Sequence, residues 1–391
     1  MIRVAFTLFG GANWTGGHNY LLNLLRVLSA ENSHRISPVL FVGDENEDQY
    51  VAAFSEIQGL EIIQTPLLNA RRRKSSLLMA LLWGRDTALK KLFDAKGIQL
   101  VFEAAQFFGW RLGLPAIAWI PDFQHLSLPD MFTVTARWKR EIGFRAQVYG
   151  RRSIMLSSED ARQLCLANYP VKPERARTVH FAVPAGLEVD HSEARAVADQ
   201  YELPDVFFYM PNQLWRHKNH KLVVDALALL RRRGVPMVVA ASGKQNDPRD
   251  PALFARLKTQ AERIGVDQDI RFLGLIPYPH LTALMRASSA LINPSLSEGW
   301  STTVEEARAM GVPMLLSDLE VHREQMGEKA SYFERQSAAS LADALQRFQP
   351  LAQSQRQAMI DSAQVSAGQR VSRFGDDFTR LVESCVKQVN R

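Results

Sequence analysis

Cysteine is nearly absent from this chain. Only Cys165 and Cys385 occur in 391 residues, far apart and with no metal-ligand spacing. A structural zinc is therefore not expected, and a reduced, cytoplasmic setting is the economical reading. Long apolar runs are absent too: none reaches the ~18 residues that a bilayer-spanning helix needs. The opening Met1-Ile2-Arg3-Val4-Ala5-Phe6 is cut short by Gly10 and Gly11, with no cleavage site after it. It reads as a first strand and not as a secretion signal, so the expectation is a chain that neither leaves by an evident signal nor crosses a membrane. No carboxylate or histidine cluster has convincing metal spacing. The one bare Asp-x-Asp match, Asp267-Gln268-Asp269, follows Gly265 and precedes a short apolar run, and reads as a polar turn. Metal: none is the expectation.

Charge is modest overall, +6 from 47 Lys and Arg against 41 Asp and Glu, but unevenly placed. Residues 66–152 hold 15 Lys and Arg against 6 Asp and Glu, a surplus of 9, so the rest of the chain is slightly acidic. Such asymmetry points to an anionic surface as partner. No nucleic-acid partner is expected.

The length suggests two domains. Short β-branched or apolar runs alternate with helical patterns, the mark of parallel α/β architecture. In the first half strands are expected at 2–8, 37–42, 60–64, 98–103, 115–120 and 153–157, with helices at 18–30, 75–95, 133–149 and 158–168. A second series has strands at 206–210, 237–242, 270–273, 289–293 and 313–317, and helices at 220–233, 251–264, 279–287 and 302–310. The stretch 183–204, with Pro184 and Pro204, reads as a linker. Ligands of doubly wound sheets bind beyond the carboxyl ends of strands, and every candidate motif falls just after an expected strand.

Phe9-Gly10-Gly11-Ala12-Asn13-Trp14-Thr15-Gly16-Gly17 comes first. Gly16 and Gly17 let backbone approach a ligand, and the next helix offers free N–H groups to an anion. A ligand-free glycine turn fits the same residues. In Trp119-Ile120-Pro121-Asp122-Phe123-Gln124-His125, His125 is placed to meet a sugar hydroxyl or accept a proton, while Asp122 and His125 also read as ordinary turn residues. In Asn212-Gln213-Leu214-Trp215-Arg216-His217-Lys218-Asn219-His220, Arg216 and Lys218 can neutralise a diphosphate leaving group; an exposed basic loop is the plainer alternative. In Ser295-Leu296-Ser297-Glu298-Gly299-Trp300-Ser301-Thr302-Thr303-Val304-Glu305-Glu306, Glu298 and Glu306 can hold donor hydroxyls. Thr303 with Glu306, and Thr302 with Glu305, also spell capping boxes, which explain Glu306 but not Glu298.

Two segments form a basic, aromatic-bearing surface. Arg71-Arg72-Arg73-Lys74 precedes Leu77, Leu78, Leu81 and Leu82, then Trp83, Arg85, Lys90 and Lys91. Arg137, Trp138, Lys139, Arg140 and Arg145 share a second helix. Such helices can lie on an anionic membrane face, or can equally bury their leucines in the core.

Together these motifs resemble the retaining glycosyltransferases of the GT-B fold, family 4 (group 1), and within them a branch concerned with cell-surface polysaccharide, lipopolysaccharide included. The resemblance runs over nearly the whole chain and is strongest from Val206 to Met326. Its most specific part is Glu298 and Glu306 with seven residues between, set in Asn293-Pro294-Ser295, Gly311-Val312-Pro313, Ser317-Asp318 and His322-Arg323-Glu324. Ser157-Ser158-Glu159-Asp160-Ala161 and the segments around His125 and Lys218 match as well. The resemblance implies an α/β fold of two Rossmann-like doubly wound domains facing across a cleft. Residues 1–185 would form the acceptor-side domain, with a last helix at 372–391 packing back on it, and 186–371 the nucleotide-sugar domain.

It also implies roles. Lys218 would bind phosphate, Glu298 the transferred sugar and Glu306 the ribose. Gly16 and Gly17 would face the diphosphate, Phe272, Leu273 and Gly274 would line the base, and His125 would lie near the acceptor. Asp122, Asn212, Gln213, Gly243, Gly299, Trp300, Ser301 and Thr302 are further donor-side positions. No cofactor and no metal would be needed. Two departures stand out: Gln213 replaces an Arg common five residues before the lysine, with Arg216 as the substitute, and Trp300-Ser301-Thr302-Thr303 replaces a Gly and hydrophobic pair. The expected activity is retaining transfer of a hexose, mannose-like as first choice, from GDP-mannose or a UDP-sugar to a saccharide or lipid-linked saccharide. The location would be cytoplasmic, peripheral at the inner membrane face. Alternatives are a nucleotide-sugar epimerase of the same fold and a non-catalytic nucleotide-sugar-binding subunit.

Overall fold

The computed structural model describes residues 1–8, 15–45, 48–104, 106–184 and 190–389, which divide into two compact units. The first comprises Met1–Phe123, Thr133–Ala182 and Gln369–Arg391, and the second Gln124–Phe132 and Val183–Gly368.

The first unit runs β1 (Ile2–Thr7), α1 (Thr15–Glu31), β2 (Ile36–Val42), α2 (Asp48–Ser55), β3 (Glu61–Gln64), α3 (Ala70–Leu82), α4 (Thr87–Ala95), β4 (Leu100–Ala104) and β5 (Ala116–Ile120). The short α5 (Gln124–Ser127) groups with the second unit, and α6 (Val134–Tyr149), β6 (Ser153–Leu156), α7 (Glu159–Asn168) and β7 (Ala176–Thr178) complete the first. All strands pair in parallel, in the order β3-β2-β1-β4-β5-β6-β7. The order reverses between β1 and β4, whose carboxyl ends are tied by Thr7 Oγ1 donating to Gln106 Oε1 at 3.1 Å.

The second unit holds α8 (His191–Gln200), β8 (Phe208–Met210), α9 (His220–Arg232), β9 (Val239–Ser242), α10 (Leu253–Ile264), β10 (Ile270–Gly274) and α11 (Tyr278–Ala287). There follow β11 (Ala290–Asn293), α12 (Thr302–Ala309), β12 (Met314–Ser317), α13 (Glu320–Met326), β13 (Ser331–Phe333), α14 (Ala338–Arg347) and α15 (Gln353–Val389). Its parallel sheet runs β10-β9-β8-β11-β12-β13 and reverses between β8 and β11. Its strands are apolar on both faces because helices cover both: Phe207 and Tyr209 enter one core, Phe208 and Met210 the other.

Several expectations need correction. Residues 124–132 and 183–185 were placed in the first domain; 124–132 and 183–184 group with the second unit, and 185 lies outside the described residues. The presumed linker contains α8, whose Asp190 cap accepts from Ser192 N at 3.0 Å and whose Ala194 and Ala198, one turn apart, are buried in the core. The single helix expected at 75–95 is two. Gly84 takes φ +82°, and Asp86 restarts the chain by accepting from Ala88 N and Leu89 N. The strands β7 and β13 and the helices α2, α5, α13 and α14 were not anticipated.

The last helix joins the first unit from Gln369, slightly earlier than expected. Val371, Phe374, Phe378, Leu381, Val382 and Cys385 repeat at helical spacing and are buried. Phe378 sits 5.9 Å from Phe6 and 5.6 Å from Phe102 between ring centroids. Each such aromatic ring contributes roughly 2 kcal/mol by leaving water. Arg35 adds a paired contact with Glu383 at 2.9 and 3.0 Å.

Candidate active site

The second unit brings its motif residues together at the carboxyl edge of the sheet, where β8 and β11 diverge. A topological switch point of this kind is where open α/β sheets bind ligands. The loop after β8 carries Lys218 and the loop after β11 carries Glu298. Lys218 Nζ lies 2.5 Å from Glu298 Oε1, and Ser295 Oγ donates to the same oxygen at 2.6 Å. Two hydrogen bonds fix the loops to each other: Leu296 N donates to His217 O at 2.8 Å, and the Asn219 side chain donates through Nδ2 to Pro294 O at 3.2 Å. Asn219 occupies the left-handed region (φ 58°, ψ 38°), which asparagine tolerates better than most residues.

Burial alone would push the Glu298 carboxyl up. The Lys218 and His217 charges and the hydrogen bonds from Lys218 and Ser295 outweigh it and bring it down to about 2. His217 and His220 are driven the other way, to about 3, chiefly by burial. Both are neutral near pH 7. Arg249 Nη2 lies 3.1 Å from His217 Nδ1, and a guanidinium only donates, so Nδ1 is the acceptor.

Arg249 was not anticipated from the sequence, nor was Asp247. Asp247 is buried and accepts from Arg216 N at 3.1 Å and from Arg249 N at 2.9 Å and Nε at 3.2 Å. Burial raises its carboxyl, but these donors hold it below the usual range. The Arg249 guanidinium also donates to Gln124 Oε1 at 3.0 Å and lies 5.7 Å from the Trp215 ring and 5.5 Å from that of Phe132. The signal was present in Asn246-Asp247-Pro248-Arg249-Asp250-Pro251, a turn-rich loop after β9.

Arg216 lines a cavity of about 390 Å³ with Trp215, Asn219, Lys221, Asp250 and Leu296. Its backbone is fixed on Asp247. The guanidinium that bonds His217 is that of Arg249.

Around this group, Asn212 is buried, and its Oδ1 lacks a hydrogen-bond partner among the described residues. Gly243 has φ +142°, and a Cβ there would come within 2.6 Å of Asn212 O, so the close approach of these loops requires glycine. Gly243 N donates to Gly274 O at 2.8 Å. Phe272 and Leu273 line a cavity of about 290 Å³ with Tyr201 and Lys258. Gln213 takes part through its backbone, its carbonyl accepting from Trp215 N at 2.7 Å.

Glu306 is not a capping residue. The α12 cap is Ser301, so Glu306 falls beyond the first turn, where it is buried and accepts from Tyr278 Oη at 3.3 Å. Burial pushes its carboxyl up to about 7, with the tyrosine bond pulling weakly down. Ser301, expected on the donor, is occupied within the fold: Oγ accepts from Asn293 Nδ2 at 2.9 Å, and its backbone meets Gln325 at 3.2 and 3.1 Å. Gly299, Trp300 and Thr302 flank it between Glu298 and the first turn of α12.

His125 is buried in α5. Asp122 faces Arg140 at 3.5 Å within the first unit. Gly16 and Gly17 lie in the first turn of α1; the loop 9–14 before them is outside the described residues. Asp269 of the Asp-x-Asp turn receives Arg231 Nε and Nη2 at 2.8 and 3.0 Å.

Comparison with known proteins follows the same division. Residues 193–365 match the family model described as glycosyl transferases group 1. The D-inositol 3-phosphate glycosyltransferase of Jonesia denitrificans is 32% identical over 106 residues, 26% of this chain and 24% of that protein. The serotype-specific mannosyltransferase WbdA of Escherichia coli is 24% identical over 243 residues, 59% of this chain and 29% of that protein. The matched stretches thus span about a quarter of these curated relatives. Among solved structures, Anabaena HepE in complex with UDP and glucose superposes with a TM-score of 0.73 at 15% identity, over 98% of this chain and 100% of that one. The fold is therefore of the GT-B type, α/β with two parallel-sheet domains.

Proposed function

We propose that this chain is a glycosyltransferase that moves a hexose-type sugar, mannose-like as first choice, from a nucleotide-diphosphate donor to a saccharide, with retention at the anomeric carbon. The observation that carries the reading is the Lys218–Glu298 pair at the switch point, inside the segment that matches the group 1 model. The name of WbdA, a serotype-specific mannosyltransferase, supports mannose as first choice, and the UDP and glucose of the HepE complex support a nucleotide-activated sugar as donor.

In this reading the bond from the anomeric carbon to the diphosphate oxygen breaks while the acceptor oxygen bonds the same face of that carbon. The acceptor proton passes to the departing phosphate oxygen, so no protein nucleophile is needed. Charge developing on the diphosphate is met by the Lys218 ammonium and, in the part first given to Arg216, by the Arg249 guanidinium. These cations supply the stabilisation for which other transferases use a divalent ion, hence a metal-independent reaction. Glu298 would accept from hydroxyls of the transferred sugar and Glu306 from those of the ribose.

A peripheral membrane setting extends the proposal. On α6, Val134, Trp138 and Ile142 recur every four residues and are exposed, and Leu77, Leu78, Leu82 and Trp83 are exposed at the end of α3. Leu81, by contrast, packs against the Ala80, Phe107 and Ala146 cluster. Exposed apolar residues on basic helices suit an anionic lipid surface. Among the described residues no helix is long and apolar enough to cross a membrane.

The test is thermal shift with GDP, UDP, dTDP and ADP, then transfer assays with the matching activated sugars. Stabilisation by one nucleotide and transfer with retention are expected. No response to any nucleotide by the folded protein would overturn the reading, and donor isomerisation without acceptor would replace it with an epimerase.

A further inference from the structure

Glu298 and Glu306 are both largely buried, yet their surroundings oppose each other. Glu298 lies against the Lys218 ammonium, which keeps it ionised. Among the described residues no cation pairs with Glu306. Burial therefore favours its protonated form, and hydrogen-bond donors must restore the charge. Within the fold that donor is Tyr278 Oη, 3.3 Å from Glu306 Oε1.

Local sequence holds that hydroxyl in place. Pro277-Tyr278-Pro279 opens α11, with Pro277 as its cap. Each proline fixes its own φ, and at a helix start its missing N–H costs nothing. Thr282 Oγ1 donates to Pro279 O at 2.9 Å, and His280 Nδ1 meets Tyr201 Oη at 2.8 Å, tying the first turn to the end of α8. The Tyr278 ring is half-exposed, so its hydroxyl reaches inward from the surface to a buried carboxylate. Other titratable groups nearby are engaged elsewhere. Tyr209 of β8 is buried, is kept neutral by that burial, and shares its hydroxyl with Ser242 at 2.6 Å. On α12 itself Glu305 faces Arg308 at 3.6 Å. On α13, His322 meets Ser317 O at 3.0 Å and Arg323 lies over the Tyr332 ring at 4.5 Å, while Glu320 is exposed. Arg286, two turns along α11, feels Asp190 at the α8 cap.

Ribose hydroxyls donate most strongly to an ionised carboxylate. We propose that Tyr278 is a positioning residue of the nucleotide site, holding Glu306 in the orientation and charge state that ribose hydroxyls require. The inference deepens the transferase reading and rests on it for the ribose. With Oε1 held, the carboxylate does not turn freely, and a nucleotide completes its ionisation on binding. Tyr278 thereby sets the pH range over which the nucleotide is held.

Tyr278→Phe allows a direct test, since it keeps the half-exposed ring and deletes the hydroxyl alone. The full chain, Tyr278→Phe and Glu306→Gln are compared. First the Glu306 carboxyl is titrated without nucleotide, by carbon NMR on glutamate-labelled protein, its signal identified by its absence from Glu306→Gln. Binding of UDP, GDP, dTDP and ADP is then measured across the pH range around neutrality. The Tyr278→Phe midpoint should rise by about half a pH unit or more, because a hydrogen bond to the charged form is lost. Nucleotide binding should weaken about threefold one pH unit below the wild-type midpoint. Well above it, where Glu306 is ionised in both proteins, binding should match wild type. A tyrosine that served the fold alone would weaken binding equally at every pH and leave the midpoint unmoved. That result would overturn the proposal, as would a Glu306→Gln variant whose binding depends on pH as wild type does. An unmoved midpoint with wild-type nucleotide binding intact would remove the role of Tyr278 and leave the transferase. No binding of any of the four nucleotides by wild type would remove the transferase reading, and the ribose with it, even where the midpoint moves.

Discussion

The ammonium of Lys218 lies 2.5 Å from Glu298 Oε1, and both side chains are largely buried, with 15% and 9% of their surface exposed. Removing one member strands the other's charge away from water, at a cost of about 3 kcal/mol or more. Lys218→Ala should therefore melt earlier as well as lose its nucleotide response. Lys218→Ala/Glu298→Gln should recover much of the stability but not the response. Denaturant unfolding with nucleotide titration checks both. A double variant as unstable as the single would show that the pair matters by packing and not by charge.

In the proposed reading, Glu306 should make nucleotide binding sensitive to pH. Its carboxyl is raised to about 7, so near neutrality it is about half protonated. If ribose hydroxyls donate to it, binding favours the ionised form, releases protons and weakens as pH falls below about 7. The same shift acts on stability in the opposite sense. The unfolded carboxyl ionises near 4.5, so this group's contribution is complete below that value and is lost as pH rises to about 7. Glu306→Gln should flatten both dependences, measured by calorimetry in buffers of different ionisation heat.

Gly243→Ala should destabilise the second unit by about 1–3 kcal/mol, because it combines a left-handed backbone with a clash against Asn212 O. A melting temperature unchanged from wild type would mean that the loops can separate freely.

Trp83→Ser/Trp138→Ser should weaken binding to anionic vesicles roughly tenfold or more at low salt, since both rings are exposed on basic helices. Sedimentation with phosphatidylglycerol and phosphatidylcholine vesicles measures it. Equal binding of both lipids, or none, would count against a membrane face.

Much of the architecture was readable because strands buried on both faces spell unbroken apolar runs, as at Phe207-Phe208-Tyr209-Met210. Lys218 and Glu298 were readable because each follows such a run. Short strands such as Ser331–Phe333 carry too few residues to show a period. The break at Gly84 was hidden because leucines continue on both sides of it. Arg249 escaped because a loop's sequence does not reveal which side chain its buried aspartate will orient. Ser301 shows a related limit: the sequence does not reveal that its hydroxyl caps α12 and accepts from Asn293.

The neutral histidines around the Lys218 loop set an acid limit. An unfolded chain takes up protons on His217 and His220 near pH 6.5, the folded chain only near 3. Across that window the unfolded state holds more protons, so each histidine removes about 1.4 kcal/mol of stability per pH unit as pH falls. Acid should therefore loosen the second unit while the carboxylates on its surface are still charged. The burial that keeps these two rings neutral thus makes the fold around the Lys218 loop firmest near neutrality and weakest in acid.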